Sequence, residues 1–223
     1  MIKAVIFDLD GVIVSTDEFH YRAWKAIADE CGIYFDRIIN NRLRGVSRRA
    51  SLEIILERAD RPYSDEEIFE LTERKNNLYK ESLNDLTPED RDPEFDTVDA
   101  YLKANGIRTA IGSSSRNTRA ILEKIGLLDR FDAIADGTVI THSKPDPEVF
   151  LKAAQFLGEE PENCLVIEDA VAGVQAGKAA GMLTAGIHDA ADSAYSDYSL
   201  HTLKDIITVI ESVNKKGDAY EQV

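Results

Sequence analysis

The sequence predicts an α/β fold: a doubly wound parallel sheet, Rossmann-like in its core, with an all-helical domain inserted after the first strand. Short β-branched runs recur along the chain, as expected for strands buried on both faces. Amphipathic helical patterns separate the later runs, which indicates parallel strands joined by helical crossovers. After the first run, the chain instead carries a long series of helical patterns and no strand signal.

The strands are expected where these runs occur, at 3–7, 108–112, 133–136, 164–168 and 183–187. Between them, "RNTRAILEKIG" has apolar residues at helical spacing and should end at Gly126. The segment "DPEVFLKAAQFLG" should form a helix with Asp146 as N-cap, Pro147 in the first position and Gly158 as its end.

The inserted helices have recognisable start and stop signals. Ser15 and Glu18 match a capping box, and the pattern that follows ends at Gly32. A second helix, "SRRASLEIILERAD", ends before a proline, and Ser64 with Glu67 repeats the capping-box pattern for a third. We therefore predict a helical domain at 16–88 and an α/β core at 1–15 and 89–223. Two adjacent linkers would allow the helical domain to close over a site.

Composition limits the possible functions. The chain has 223 residues, 43% apolar and 30% charged, which is typical of a soluble globular protein. Its net charge of -15 disfavours binding to nucleic acid or to an anionic membrane. No apolar run approaches the ~20 residues of a membrane span, and we expect no signal peptide. Cys31 and Cys164 are expected to be free thiols, and the protein to be cytoplasmic. One basic cluster, "RLRGVSRR" at 42–49, stands out.

Chemically active side chains follow several predicted strands. In open α/β sheets, ligands bind beyond the carboxyl ends of the strands. The side chains expected at this edge are Asp8, Asp10, Ser113, Lys144, Glu168 and Asp169. Carboxylates that converge repel one another unless a cation is present. Mg²⁺, which prefers oxygen ligands, would resolve the conflict and favour a phosphorylated substrate. Lys144 and Ser113 would then hold phosphate oxygens.

Taken singly, each of these residues has a simpler interpretation. "DLDG" could be a surface turn; a Ca²⁺ loop fits poorly, because Val12 and Ile13 stand where a ligand and a turn glycine belong. Lys144 could be a solvated lysine, and Ser113 a helix cap. The pair Glu168–Asp169 could cap the next helix. The whole set in this order, at successive strand ends, is far more specific than any member.

With these motifs the sequence resembles the haloacid dehalogenase superfamily over its whole length. The four motifs of that superfamily match "DLDG", the serine after the second strand, the lysine of "SKPDP" and "EDA". The resemblance implies that the helical insert is a cap domain. It also implies that Asp8 is a nucleophile forming an aspartyl-phosphate and that Asp10 is the general acid/base. Mg²⁺ would bind Asp8, the backbone carbonyl of Asp10, Glu168 and Asp169, while Ser113 and Lys144 would bind the transferring phosphoryl group.

Within the superfamily, one branch matches more closely. The segments "DLDGVI", "EFHYRAWKAIA", "LRGVSRRASLEIIL", "RKNNLY" and "SKPDP" resemble enzymes that interconvert β-glucose 1-phosphate and glucose 6-phosphate. The resemblance implies small-molecule sugar phosphates as substrates. The sheet and the cap together should bury the apolar faces of the helices and strands. We therefore expect a monomer. Two departures, "DPEF" at 92–95 and "GIHDAADSAY" at 186–195, weaken the match to the branch more than they weaken the chemistry.

The resemblance also assigns substrate-binding residues. The cap loop would comprise Leu43, Arg44, Gly45, Val46, Ser47 and Arg48, with Arg44 standing where the branch usually has lysine. Arg48, with Ser115, Arg116 and Asn117 from the core, would bind the non-transferring phosphate. Trp24 would line the sugar pocket, and Lys75 and Asn76 would face the cleft. Thr16 and His20 would couple closure to positioning of the acid/base.

Alternatives remain for these residues and for the function. Arg48 could belong to a solvated helix end, Trp24 to a core, and His20 could be a packed polar residue. The main alternative function is a sugar-phosphate phosphatase, in which water replaces the sugar hydroxyl. A non-enzymatic alternative is a phospho-accepting switch similar to response-regulator receivers, although Asp10 and a large cap argue against it.

Overall fold

The structure, a computed structural model, describes residues 1–43 and 46–220, without the side chains of 216–220. The predicted binding residues Arg44 and Gly45 lie outside the described residues. The chain divides into two compact units, Met1–Ser15 with Thr87–Val223, and Thr16–Leu86. We call the first the sheet unit and the second the helical unit. The predicted assignment of residues 16–88 as a cap stays a prediction.

The sheet unit is built on a six-stranded sheet with the order β3-β2-β1-β4-β5-β6, in which every neighbouring pair is parallel. The strands are β1 Ala4–Phe7, β2 Arg108–Gly112, β3 Ala133–Ala135, β4 Cys164–Glu168, β5 Leu183–Ile187 and β6 Tyr198–Leu200. The predicted α/β fold with a doubly wound parallel sheet is confirmed. The edge strand β6 was not predicted, because its three residues carry no apolar run.

Helices cover both faces of this sheet. The helices of the sheet unit are α5 Phe95–Ala104, α6 Thr118–Lys124, α7 Glu148–Leu157, α8 Val171–Ala179 and α9 Asp205–Tyr220. On one face, Ile6 belongs to the same buried cluster as Val149 and Phe150 of α7. On the other, the ring of Phe7 meets Phe95 of α5 edge-on, with centroids 6.5 Å apart. Successive side chains of a strand point to opposite faces, so β1 is buried from both sides.

Helix α7 differs slightly from its prediction. Pro147 occupies the cap position, and the helix begins at Glu148. The assignment of Asp146 as N-cap is therefore wrong by one residue. Its carboxylate nevertheless accepts a hydrogen bond from the Glu148 N–H at 2.9 Å. The predicted end is confirmed, since Gly158 adopts the left-handed conformation with φ +70 that glycine tolerates best.

The helical unit contains α1 Asp17–Glu30, α2 Arg37–Asn41, α3 Arg48–Leu56 and α4 Asp65–Ser82. It has an apolar core of its own, which includes Trp24, Ile27, Phe35, Leu52 and Leu71. The short α2 was not predicted, although Asp36 caps it by accepting from the Ile39 N–H at 2.8 Å. None of the described helices is both long and apolar enough to cross a membrane.

The two predicted capping boxes have different outcomes. At Ser64 the box is complete: its hydroxyl accepts from the Glu67 N–H, and the Glu67 carboxylate accepts from the Ser64 N–H at 2.8 Å. At Ser15 the prediction is wrong, because α1 begins after Thr16 and has no side-chain cap. The Glu18 carboxylate is paired instead with Arg22 and Arg37.

The two chain passages between the units lie side by side in the sheet unit. Val14 forms an antiparallel bridge with Arg91, and the Asp92 N–H donates to the Ile13 carbonyl at 2.8 Å. The insertion point of the helical unit is thus closed by backbone hydrogen bonds.

The contrast between the two boxes gives a first prediction. Ser64→Ala should lower the free energy of unfolding by about 1 kcal/mol, because the first turn of α4 loses its cap. The matched change Ser15→Ala, at an exposed serine that caps nothing, should leave it unchanged. Urea denaturation followed by circular dichroism measures both. An equal loss in both variants would show that the capping difference is wrong.

Candidate active site

Functional side chains meet at the carboxyl edge of the sheet. Asp8 directly follows β1, which lies between β2 and β4 in the sheet. Ser113 directly follows β2, while Glu168 ends β4 and Asp169 comes next. Because these strands are parallel and adjacent, their carboxyl ends lie at the same edge. The sheet order therefore gathers residues that are far apart in sequence.

Lys144 joins this cluster from the loop before α7. Its ammonium donates to Asp8 Oδ1 at 2.6 Å and also pairs with Glu168 Oε1. The ammonium also lies 4.7 Å from the centroid of the Phe150 ring, and only 5% of the lysine side chain is exposed. Lys144 is thus a buried cation shared by two carboxylates, and its interpretation as a solvated lysine is wrong.

The cluster holds more negative charge than Lys144 balances. Burial raises the pKa of Glu168 to about 7, although Lys144 lowers it. Burial, followed by repulsion from Asp8 and Glu168, raises the pKa of Asp169 to about 8. Burial alone would lower the pKa of Lys144, but its attraction to Asp8 and Glu168 outweighs burial and raises it. The ammonium stays charged, and the carboxylates remain short of positive charge.

The residues present suit a divalent cation. Asp8, Glu168 and Asp169 each offer a carboxylate oxygen, and these atoms lie within 4.8 Å of one another. Two glycines allow this close packing: a Cβ on Gly11 would overlap the Asp169 carboxylate, and one on Gly173 would overlap that of Glu168. A purely oxygen donor set in a crowded acidic site is what a hard cation requires. Asp10 follows on the same loop, where it bridges to Val14.

The loop after β2 is folded by its own hydroxyl groups. Ser113 is buried, and its N–H donates to the Ala135 carbonyl at 3.0 Å. Its hydroxyl accepts from the Ser115 N–H at 3.2 Å, and the Ser115 hydroxyl accepts from the Asn117 N–H at 3.1 Å. The Lys144 N–H donates to the Ser114 hydroxyl at 3.4 Å. The predicted phosphate-binding residues Ser113, Ser115 and Asn117 thus belong to one hydrogen-bonded loop, and the backbone of Lys144 is bonded to it from the loop before α7.

In the helical unit, several predicted residues form a second cluster. His20 Nδ1 lies 2.7 Å from Lys75 Nζ, and the imidazole stacks on Tyr79 with centroids 4.1 Å apart. The Tyr79 hydroxyl donates to Thr16 Oγ1 at 3.1 Å. Burial, then Lys75 and Arg48, hold the pKa of His20 well below its ordinary value. His20 is therefore neutral, and its Nδ1 can accept from the Lys75 ammonium.

Tyr79 was missed by the sequence interpretation. It lies four residues after Lys75 on α4, and this spacing places both on one helix face. That spacing was the available signal. Trp24, by contrast, lies in the apolar core of the helical unit with its ring 4.9 Å from Lys75 Nζ. This placement favours the interpretation of Trp24 as a core aromatic, and its contact with a sugar stays a prediction.

The cap-loop residues have local roles in the helical unit. The Ser47 hydroxyl caps α3 by accepting from the Ala50 N–H at 3.2 Å. Arg48 donates from Nη1 to Glu73 Oε1 at 2.8 Å. Leu43 and Asn76 are buried, whereas Val46 is exposed. Contact between these residues and a substrate stays a prediction.

Comparisons with known proteins agree with this geometry. Residues 2–181 match the family model described as haloacid dehalogenase-like hydrolase. A β-phosphoglucomutase of Bacillus subtilis is 42% identical over 98% of this chain and 96% of its own. The crystal structure of a β-phosphoglucomutase from Clostridium difficile has a TM-score of 0.88 and 35% identity, and covers 100% of both chains. A phosphorylated carbohydrates phosphatase of Thermotoga maritima is 30% identical over 81% of this chain and 82% of its own.

The acidic cluster gives a prediction for the metal-free protein. In the unfolded chain the carboxyls of Asp169 and Glu168 titrate near 3.8 and 4.5. From about pH 4.5, where the unfolded carboxyls have lost their protons, to about pH 8, where the folded Asp169 titrates, the folded state therefore binds more protons than the unfolded state, and stability should fall as pH rises. In EDTA the loss between about pH 6 and about pH 8 should be on the order of a few kcal/mol.

Two variants check the source of this slope in urea denaturation. Asp169→Asn should reduce it, because an amide does not titrate and only the contribution of Glu168 remains. The exposed control Asp192→Asn should keep it. Equal slopes in Asp169→Asn and the parent protein would assign the pH dependence to other groups.

Proposed function

The chain belongs to the haloacid dehalogenase-like hydrolase family, and on that premise we propose that it is a β-phosphoglucomutase, interconverting β-D-glucose 1-phosphate and glucose 6-phosphate. The single observation that carries this proposal is the 42% identity to the Bacillus subtilis β-phosphoglucomutase across 98% of the chain. The carboxylate cluster around Lys144 supplies the chemistry for it.

Asp8 is the proposed nucleophile. A carboxylate is deprotonated at neutral pH and can accept a phosphoryl group without a separate base. In the cycle, phosphorylated Asp8 gives its phosphoryl group to the 6-hydroxyl of β-glucose 1-phosphate, which forms β-glucose 1,6-bisphosphate. After the bisphosphate reorients, the carboxylate of Asp8 attacks the phosphorus on O1, the P–O1 bond breaks, and glucose 6-phosphate leaves.

Asp10 is the proposed general acid/base. It takes the proton of the 6-hydroxyl in the first transfer and returns it to O1 in the second, so that protons balance over the cycle. Asp10 lies two residues after Asp8 on the same loop. Ser113 and Lys144 would bind the phosphoryl group in transit. For Lys144, the buried ammonium already beside Asp8 Oδ1 supports this role.

Mg²⁺ is the proposed cofactor, held by Asp8, the backbone carbonyl of Asp10, Glu168 and Asp169. When bound, it would neutralise charge on the phosphoryl oxygens. The excess of carboxylate over ammonium around Lys144 supports this assignment. The chain's own contribution is to keep these oxygens close together, through Gly11 and Gly173.

The second phosphate of the substrate would be bound away from the reacting one. We assign it to Arg48 with Ser115, Arg116 and Asn117, because an arginine fork suits a phosphate. The sugar would be contacted by Lys75, Asn76, Trp24 and the loop at 43–47. Closure of the helical unit would be coupled to the positioning of Asp10 by Thr16 and His20. We propose a monomer in the cytoplasm, consistent with two free cysteines.

A sugar-phosphate phosphatase is the second candidate. Relatives named as phosphatases share the same family, among them the Thermotoga maritima protein at 30% identity. Both reactions need the same core residues, and they differ in whether water or a sugar hydroxyl attacks phosphorylated Asp8. The receiver-like switch has lost support, because the curated relatives reported above are named as enzymes.

One assay separates the mutase from the phosphatase. The protein is incubated with Mg²⁺, β-glucose 1-phosphate and a trace of β-glucose 1,6-bisphosphate. Glucose 6-phosphate is followed by a coupled dehydrogenase and free phosphate in parallel. The mutase produces glucose 6-phosphate with little free phosphate. Phosphate release without glucose 6-phosphate would instead establish the phosphatase.

Neighbouring arginines test the proposed phosphate contact. Arg48→Ala should lower kcat/KM for β-glucose 1-phosphate about 100-fold, because a charged hydrogen-bond donor to the second phosphate is lost. Hydrolysis of p-nitrophenyl phosphate, which has only one phosphate, should change little. The control Arg49→Ala, which removes exposed pairs with Glu53 and Asp65, should leave both activities intact. An equal loss of both activities in Arg48→Ala would contradict the assignment.

A further inference from the structure

The turn after β3, residues 136–138, packs directly against the loop after β2. Asp136 and Gly137 are buried at the same carboxyl edge as the catalytic cluster. The Gly137 N–H donates to the Ser115 carbonyl at 3.0 Å, and the Gly137 carbonyl accepts from Arg116 Nε at 3.2 Å. One residue therefore holds both the backbone and the side chain of the segment that we assign to the second phosphate.

Only glycine fits at position 137. A Cβ built there would overlap the Ser114 carbonyl and would lie 2.9 Å from both the Arg116 nitrogen and the Ser115 carbonyl carbon. These are backbone atoms, so no side-chain rotation can relieve the clash. Alanine would have to displace the loop itself. The close approach therefore makes the position of the loop depend on the absence of a side chain at this residue.

Asp136 fixes the turn from its other side. Its Oδ1 accepts from the Thr138 N–H at 2.8 Å and also from the Thr138 hydroxyl. Its buried Oδ2 accepts no hydrogen bond from any residue that the structure describes, and Arg119 Nε of α6 lies 3.4 Å from it. The carboxylate thus connects the turn to the helix that begins directly after the loop. The turn is held between β3, the loop and α6.

We propose that this turn, with Gly137 at its centre, is a positioning element that sets the affinity for the non-transferring phosphate. It acts through Ser115 and Arg116. With Nε engaged by the Gly137 carbonyl, the guanidinium of Arg116 is oriented, and its terminal Nη groups are what it can offer to a phosphate. The inference rests on the proposed function, because that function assigns the second phosphate to this loop.

The test is Gly137→Ala in the full-length protein. We expect KM for β-glucose 1-phosphate to rise about tenfold, which corresponds to about 1.4 kcal/mol. The Kd for glucose 6-phosphate should rise by the same factor. It is measured calorimetrically with Mg²⁺ but without bisphosphate. Hydrolysis of p-nitrophenyl phosphate should fall by a clearly smaller factor than kcat/KM for β-glucose 1-phosphate, since that ester does not need the second phosphate site. A purely structural role would lower both activities by the same factor.

A second glycine provides the matched control. Gly181 has φ +77 and open space around it, so Gly181→Ala is strained without touching the loop. It should lower the melting temperature but leave KM and Kd unchanged. Asp136→Asn, which keeps the shape of the side chain but removes its charge opposite Arg119, should raise both constants by a smaller factor. If Gly137→Ala does not fold, Asp136→Asn tests the positioning role of the turn in its place.

Each outcome has a distinct meaning. If the parent protein is a mutase and the variants at 136 and 137 bind glucose 6-phosphate as it does, the positioning role is wrong and the proposed function stands. If Gly181→Ala shifts KM equally, the effect is one of stability, and the inference also fails. If the parent protein lacks mutase activity, the proposed function fails, and the Kd for glucose 6-phosphate still decides the role of the turn.

Discussion

The buried ammonium of Lys144, shared between Asp8 and Glu168, is the interaction on which the carboxyl edge of the sheet depends. Removing one partner of a buried ion pair leaves an uncompensated charge in a low-dielectric environment, which is more costly than the pair itself is stabilising. Here one cation faces three carboxylates. Lys144 offsets part of the repulsion among Asp8, Glu168 and Asp169, and the charge that it leaves unbalanced makes the site suited to a further cation.

The same edge shows how backbone and side-chain requirements are combined. Glycines stand where carboxylates need room, at 11 and 173, and where two backbone segments approach each other, at 137. Hydroxyl groups of Ser113 and Ser115 satisfy N–H groups within the loop. The loop does not depend on a substrate for its hydrogen bonds. It is folded in advance, which would reduce the ordering cost of binding the proposed phosphate.

Most of the sheet was predictable from sequence because parallel strands are buried on both faces and leave near-continuous apolar runs. The runs at 164–168 and 183–187 match β4 and β5 in full. The edge strand β6 was not predicted, because "YSL" is only three residues long and only its last residue is fully buried. Ser15 and Glu18 have the spacing of a capping box, yet tertiary ion pairs with Arg22 and Arg37 engage the glutamate instead. Local patterns cannot reveal such competition.

The site was predictable to the extent that it follows the strand ends. The sequence alone was enough to place four residues at one edge of the sheet, because the topology brings them there: Asp8, Ser113, Glu168 and Asp169. Tyr79 and Gly137 could not be singled out in the same way. The role of Tyr79 depends on stacking against His20, and that of Gly137 on a clash that only three-dimensional packing creates.

The bridge between Val14 and Arg91, with the hydrogen bond from Asp92 to Ile13, has a consequence for how such a chain can change over time. The ends of the insertion are joined by their own backbone, so the intervening stretch can be lengthened, shortened or exchanged as a cassette without altering the register of any strand. The sheet unit and the insert can therefore diversify independently. A lineage could exchange the insert by replacing one contiguous piece of its gene.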